Sequence, residues 1–139
     1  MEENELPQMA EATVHAGFPS PAQDYMSGGI DLNRQLVRHP EATFYVRVSG
    51  DSMTGAGISD GDTLVVDRSL EPYDGATAVC CLENEFLVRH LRFGKAGPGG
   101  KPSGITLEAA NPAYKPIKTG PGSDFSVWGI VTWIIKKVE

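Results

Sequence analysis

The sequence predicts a mainly β fold: a compact, strongly bent β domain with an extended N-terminal arm and one short helix. The 139 residues include 16 glycines and 10 prolines, which is typical of a chain with many turns. Runs of β-branched and aromatic residues of strand length recur after residue 43, and these turn formers separate them. A chain of this length is large enough for one hydrophobic core.

The N-terminal segment, residues 1–29, is predicted to form the arm. The prolines in Gly17-Phe18-Pro19-Ser20-Pro21 exclude a regular helix there, because proline lacks the backbone N–H that a helix needs. Ser27-Gly28-Gly29 is typical of a flexible joint. The β-rich domain is then expected over residues 30–139.

One short helix is expected where the domain begins. Asp31 is a good N-cap residue, and Leu32 and Leu36 are spaced to share one face of a helix. Pro40 is expected to end it, since the residue before a proline avoids helical geometry.

Six strands and one tight hairpin are expected beyond residue 43. Glu83-Asn84-Glu85 is the hairpin turn between two of the strands. Trp128 and Trp133 lie in the last strand, where we expect them in the core or at a dimer interface. The predicted strands are Phe44–Val48, Thr63–Val66, Thr77–Leu82, Phe86–Phe93, Ile105–Ala109 and Ser126–Lys137.

The charge and the apolar runs limit the function classes. The formal net charge is −6 with no basic cluster beyond Lys136-Lys137, which argues against an autonomous DNA-binding domain. Three of the first five residues are glutamates, unlike the basic start of a signal peptide. The longest apolar run, near residues 125–135, has about half the length of a membrane span. We therefore expect a cytoplasmic protein that does not bind membranes.

The cysteines and histidines predict no metal site and no cofactor. Cys80 and Cys81 are neighbours, and a strand points successive side chains to opposite faces, so they are expected to be free thiols. His15, His39 and His90 are scattered without the spacing of metal ligands.

A serine in a small-residue turn is the candidate nucleophile. Ser49-Gly50-Asp51-Ser52-Met53 follows a predicted strand, and the Gly/Asp-rich segment Gly57–Asp62 comes shortly after it. Small residues let a substrate backbone approach a serine closely. From these residue types alone, a hydrophilic turn is the alternative.

Together, several segments resemble the LexA/UmuD family of self-cleaving serine peptidases. Ser49–Met53 with Gly57–Asp62 is similar to its nucleophile segment, and Ala16–Tyr25 is similar to its cleavage-site arm. The likeness covers nearly the whole chain from Ala16 onward. It favours the UmuD branch over the LexA branch, since the residues before Ala16 leave no room for a helix-turn-helix domain. Further matching segments are Ile30–Asn33, His39-Pro40, Asn111–Tyr114 and Val127–Val131.

The resemblance implies a reaction. In the family, a serine attacks a peptide bond in the N-terminal arm of the protein itself, and an uncharged lysine acts as the general base. Ser52 takes the nucleophile position, and Ala16-Gly17 takes the position of the cleaved bond. Gly50, Asp51 and Met53 would line the oxyanion and substrate groove, where each hydrogen-bond donor contributes about 3 kcal/mol.

Arg89 stands where the family has its lysine. Strand alternation places it on the same face as Leu87 and Leu91. A guanidinium has a pKa above about 12 and does not act as a base in proteins, so self-cleavage is expected to be impaired. This indicates either natural loss of the activity or a substitution that keeps the chain uncut.

Two alternatives concern this position. Arg89 could be a partly buried charge that pairs with Asp51, Asp60 or Asp62. His90 could replace the base, but alternation points it to the opposite face, and Lys95 lies beyond the strand.

The resemblance also implies the biological setting, which is the SOS response to DNA damage. We expect a homodimer that binds a RecA–single-stranded DNA filament, loses its arm, and joins a UmuC-type Y-family polymerase in translesion synthesis. Direct sequence-specific DNA binding is not expected. The main alternative is a non-catalytic regulatory or binding module of the same fold. A phage-type repressor would need a DNA-binding helix pair, and a signal-peptidase-like enzyme would need a membrane segment.

Overall fold

The computed structural model describes residues 6–10, 26–100 and 103–139. It divides into two compact units, Met1–Leu36 and Val37–Glu139. The first contains a two-stranded sheet and a short helix, and the second contains a seven-stranded sheet. The prediction of a mainly β fold is confirmed. No helix in these described ranges is long and apolar enough to cross a membrane.

The first unit contains more regular structure than predicted. Strand β1 (Gln8–Ala10) pairs antiparallel with β2 (Met26–Gly29). The prediction of a flexible joint at residues 27–29 is therefore wrong, because these backbone groups find partners in β1 that the glycine content does not reveal. The backbone N–H of Ile30 extends the pairing by donating to Pro7 O at 2.7 Å.

The predicted helix is present as α1 (Leu32–Leu36). Its N-terminus is capped as expected, since Asp31 Oδ1 accepts a hydrogen bond from the N–H of Asn33 at 3.0 Å. The helix ends before Pro40, which instead begins a short 3-10 turn, Pro40–Ala42.

The second unit is one antiparallel sheet with strand order β3-β4-β9-β5-β6-β7-β8. All six predicted strands are present, with ends that differ by at most two residues. In this sheet the prediction missed β8, which has only two residues, too few to show alternation. The strands are β3 (Thr43–Arg47), β4 (Thr63–Asp67), β5 (Thr77–Leu82), β6 (Glu85–Phe93), β7 (Ile105–Glu108), β8 (Ile117–Lys118) and β9 (Phe125–Ile135).

The pairing of β9 contains two irregularities. The pairing of β9 shifts by one residue against β4 and again against β5, which leaves Thr132 and Trp128 as extra residues. Such β-bulges bend a strand and increase its twist. Beside the second bulge, Gly129 comes so close to β4 that a Cβ there would lie 2.6 Å from Val66 Cγ1.

The buried hydrophobic side chains of the described residues form two core clusters. The first cluster is centred on β5, β6 and β7, and the second joins β4 and β5 to the segment after β3. Met53 belongs to the second cluster and is 2% exposed, which anchors the neighbouring Ser52. Trp128 packs against this cluster, whereas Trp133 is half exposed. The buried members of the first cluster are Ala76, Ala78, Cys80, Leu91, Leu107 and Ile130, and those of the second are Met53, Ile58, Leu64, Val66 and Val79.

The hairpin between β5 and β6 sets the register of the site. Glu83 and Asn84 have φ values of 49° and 66°, which is the positive-φ pair of a tight two-residue hairpin turn. The turn pairs Leu82 with Glu85, and the register continues until Ala78 lies opposite Arg89. A short local turn thus decides which face of the sheet receives the arginine.

Candidate active site

Ser52 lies in the turn that follows β3, and its backbone is fixed on both sides. Gly50 has φ +98°, which glycine adopts without strain, and its N–H donates to Asp60 Oδ1 at 2.8 Å. The carbonyl of Ser52 accepts a hydrogen bond from the N–H of Ala110 at 2.9 Å. Together with the buried side chain of Met53, these contacts hold the serine in the wall of a surface groove.

Arg89 meets Ser52 across 37 residues of sequence. Its Nη1 donates to Ser52 Oγ at 2.8 Å and to Val88 O at 2.8 Å. The residue is 7% exposed, and its Nε is buried without a hydrogen-bond partner in the described part of the chain. The structure therefore places Ser52, the candidate nucleophile, within hydrogen-bond distance of Arg89.

The hypothesis that Arg89 pairs with a nearby carboxylate is wrong. Its hydrogen bonds go to a hydroxyl and a carbonyl, and the ion pairs of the described residues do not include it. Each of the three candidate carboxylates accepts a hydrogen bond from another group: Asp51 from Tyr114, Asp60 from Gly50, and Asp62 from Lys136.

The surroundings of Arg89 shift several pKa values. Burial lowers the pKa of the guanidinium, while the nearby Tyr114 and Cys80 act in the opposite direction. Burial raises the pKa of the Cys80 thiol to about 12, and the charge of Arg89 opposes that rise. A guanidinium starts so far above neutrality that Arg89 still carries its charge at pH 7.

A loop after β7, residues 110–114, also belongs to the site. The Tyr114 hydroxyl donates to Asp51 Oδ1 at 2.6 Å, and Asn111 Nδ2 donates to Asp51 O at 2.9 Å. The Tyr114 ring centroid lies 5.6 Å from Arg89 Cζ, within range of a cation–π contact. Sequence reasoning gave these residues no role. The Asn-Pro pair signals a turn but not its distant partner.

The groove beside Ser52 has a volume of about 320 Å³. Its walls are largely apolar, and the charged residues that line it are Arg47, Asp51 and Arg89. The N–H groups of Ser52 and Met53 make no hydrogen bond within the described residues, whereas that of Gly50 is taken by Asp60. An oxyanion role, which stays a prediction, would therefore fall to Ser52 and Met53. The lining residues are Val46–Met53, Val79, Phe86–Arg89 and Tyr114.

Other candidate groups lie apart from this groove or outside the described residues. The ring of His90 hydrogen-bonds to Thr77 Oγ1 at 3.1 Å, and His90 lines a separate cavity. Lys95 follows the end of β6. The predicted cleavage bond, Ala16-Gly17, lies outside the described residues. Within those residues, no group of three or more His, Cys, Asp or Glu side chains could hold a metal ion.

Comparison with known proteins identifies the family of this chain. The model of the Peptidase S24-like family matches residues 7–132. Protein MucA of Salmonella typhimurium is 41% identical over 119 residues, which cover 86% of this chain and 77% of MucA. Protein SamA of the same species is 39% identical over 124 residues, covering 89% and 81%. The LexA repressor of Proteus mirabilis is 35% identical over 127 residues, covering 91% and 59%. The chain thus belongs to the Peptidase S24-like family and, within it, to the UmuD-like proteins.

Proposed function

We propose that this protein is a UmuD-like component of the SOS response whose self-cleavage at Ala16-Gly17 is impaired by Arg89. The hydrogen bond from Arg89 Nη1 to Ser52 Oγ carries the proposal. A serine nucleophile must give its proton to a base, but a guanidinium presents only N–H donors and does not lose its charge in proteins. Within the described residues, Ser52 Oγ accepts this bond and has no base beside it.

The geometry supports the loss of the general base alone, in a site that is otherwise arranged for catalysis. The Nη1–Oγ distance of 2.8 Å is the distance that a nucleophile and its base need. Arg89 also lies in an environment that disfavours a charge, since burial lowers its pKa. The same environment would favour the neutral form of a lysine. Returning the lysine should therefore restore the dyad.

The proposed binding role does not need the dyad. The protein would act in the cytoplasm as a homodimer that binds a RecA–single-stranded DNA filament. It would serve as an accessory subunit of a UmuC-type Y-family polymerase in translesion synthesis. The net charge of −6 supports contact with DNA through these proteins rather than directly. The second candidate function is a purely non-catalytic binding module, in which the arm is never removed. The hydrogen bond between Arg89 and Ser52 favours this alternative as well, because it leaves Ser52 beside a group that is not a base.

The decisive experiment compares Arg89→Lys with the parent chain. Each protein is incubated with RecA filaments and, separately, at alkaline pH, and mass spectrometry detects a fragment that begins at Gly17. We expect Arg89→Lys to produce the fragment about 10²-fold faster than the parent, the contribution typical of a positioned general base.

Two controls complete this experiment. Arg92→Lys makes the same change on β6 at a side chain that is 55% exposed and paired with Glu108, so it should not cut. Adding Ser52→Ala to Arg89→Lys should abolish cutting. Rapid cleavage of the parent chain would refute the proposed role of Arg89.

The binding role has its own test. The uncut parent is mixed with a UmuC-type polymerase and with RecA filaments, and co-elution in gel filtration is measured. Retention of both partners without cleavage supports the binding role. If neither the parent nor the trimmed Arg89→Lys protein binds the polymerase, the accessory-subunit proposal fails.

A further inference from the structure

Arg89 is a buried cation without a carboxylate partner in the described residues. It is 7% exposed and its Nη1 donates hydrogen bonds to neutral oxygens, while its Nε has no hydrogen-bond partner among the residues that the structure describes. Removing a charge from water is costly unless an opposite charge or a full set of hydrogen bonds compensates it. An anion beside Arg89 would supply that compensation.

Further hydrogen-bond donors belong to residues that line the same groove. The N–H groups of Ser52 and Met53 have no acceptor within the described residues, and the hydroxyl of Ser52 can still donate its proton. Neighbouring backbone N–H groups in a turn form a concave site that suits anions. Among the described residues that line the groove, Asp51 is the one carboxylate; it accepts a hydrogen bond from Tyr114, and the lining also contains the two cations Arg47 and Arg89. The described lining of the groove therefore carries more positive than negative side chains.

The rest of the groove suits a peptide rather than an inorganic anion. Its volume is about 320 Å³, and apolar side chains such as Val46, Val48 and Val88 form its walls. Recognition of a peptide end by a cation and backbone N–H groups is a recurring binding mode.

We propose that this groove binds a peptide that ends in a free α-carboxylate, which Arg89 holds together with the N–H groups of Ser52 and Met53. The inference rests on the proposed function, in which Arg89 cannot act as a base. Hydrolysis of a peptide bond leaves a carboxylate of this kind. The arginine would thus convert a site that makes such an end into a site that retains it.

The test uses the heptapeptide of residues 10–16, Ala10-Glu11-Ala12-Thr13-Val14-His15-Ala16, which ends where the family cleaves. It is labelled at its N-terminus and prepared with either a free carboxylate or a carboxamide at Ala16. Fluorescence polarisation measures the affinity of the full-length protein for each form. We expect the acid to bind about tenfold more tightly than the amide, the contribution of one charge-assisted hydrogen bond.

Two variants locate the recognition. Arg89→Gln should reduce the ratio of acid to amide affinity to about one, because the charge is lost. Arg92→Gln removes an exposed arginine from the same strand and should leave the ratio unchanged. Thermal melting shows whether Arg89→Gln is folded, and the acid–amide comparison on the parent chain tests the proposal even if it is not.

Equal affinity of the parent chain for the two forms would overturn the proposal, as would a ratio that Arg89→Gln leaves intact. These outcomes are independent of the cleavage experiment, since the peptide has no bond after Ala16 to be cut. Self-cleavage of the parent chain would refute the proposed effect of Arg89 on catalysis. Equal binding of the acid and the amide would refute the carboxylate site, whatever the cleavage result.

Discussion

The Tyr114 hydroxyl donates a 2.6 Å hydrogen bond to Asp51, across 63 residues of sequence. The bond fastens the loop after β7 to the residue that precedes Ser52. The same loop presents the Tyr114 ring to Arg89 and the Asn111 amide to the Asp51 carbonyl. The geometry of the Ser52–Arg89 pair thus depends on the loop after β7, although Ser52 follows β3 and Arg89 lies in β6.

The first prediction concerns the titration of Tyr114. The hydrogen bond to Asp51 and the charge of that carboxylate raise the pKa of the phenol. Only the neutral phenol can donate this hydrogen bond. The hydrogen bond therefore stabilises the fold fully below the ordinary tyrosine pKa, and this stabilisation is lost as pH rises through the raised pKa. Asp51→Asn should lower the pKa of Tyr114. Absorbance at 295 nm measures the phenolate, with Tyr114→Phe to identify its contribution. Identical titrations of the parent and Asp51→Asn would contradict this.

The second prediction concerns the close approach of Gly55 to Ala110. A Cβ at Gly55 would lie 2.5 Å from Ala110 O, the atom that accepts a hydrogen bond from the Gly55 N–H. Gly55→Ala must move this backbone, so we expect a loss of about 1–3 kcal/mol in the free energy of unfolding. Urea denaturation measures it. Gly122→Ala is the matched control, because a Cβ there meets no atom within 4 Å. Equal stability of the two variants would show that the contact is not tight.

Gly55→Ala should also disturb the site. The N–H of Ala110 donates a hydrogen bond to the carbonyl of Ser52, so a displaced Ala110 would shift Ser52. In the Arg89→Lys background, we expect Gly55→Ala to slow self-cleavage, whereas Gly122→Ala should not. Cleavage rates measured below the unfolding transition separate this effect from loss of fold.

Local patterns were sufficient to predict most of the fold. The alternation in β6 placed Arg89 beside Leu91 in the sheet interior, and both residues are buried. The hairpin turn at Glu83-Asn84-Glu85 is predictable from its polar residues between two strand-like runs, and the structure shows positive φ at Glu83 and Asn84. The pairing of β1 with β2 was not recognised, because short strands carry little pattern and their stability comes from each other.

The contacts of the site depend on pairs that are far apart in the sequence. The proximity of Ser52 and Arg89 followed from the family resemblance and not from any pattern of residues. Sequence reasoning assigned the carboxylates of the turn to Arg89, but Asp62 instead binds Lys136, 74 residues away. A sequence shows which groups need partners, whereas the sheet order decides which partners they meet.

The third prediction concerns the two adjacent cysteines. Cys80 is fully buried and burial raises its pKa to about 12, whereas Cys81 is partly exposed. Because the thiolate is the reactive form, iodoacetamide at pH 8 should label Cys81 and spare Cys80 in the folded protein. Both should react in urea. Mass spectrometry of tryptic peptides from Cys80→Ala and Cys81→Ala variants assigns the label, and rapid labelling of Cys80 in the folded state would contradict the prediction.

The last prediction concerns the pH dependence of stability through Asp67 in β4. Burial alone would raise the pKa of Asp67, but hydrogen bonds from His39 and from Ser69 outweigh it and lower the pKa. A lowered carboxylate pKa stabilises the fold above the ordinary value of 3.8, and this contribution is lost as pH falls through the lowered pKa. Asp67→Asn should therefore lower the free energy of unfolding by about 2 kcal/mol at pH 7, and its difference from the parent should shrink in acid below the ordinary pKa.

Urea denaturation across pH 2–7 measures this difference. The exposed Asp124→Asn is the control and should change the free energy of unfolding by less than about 0.5 kcal/mol. A difference between Asp67→Asn and the parent that stays constant in acid would show that the ionised carboxylate is not what stabilises β4.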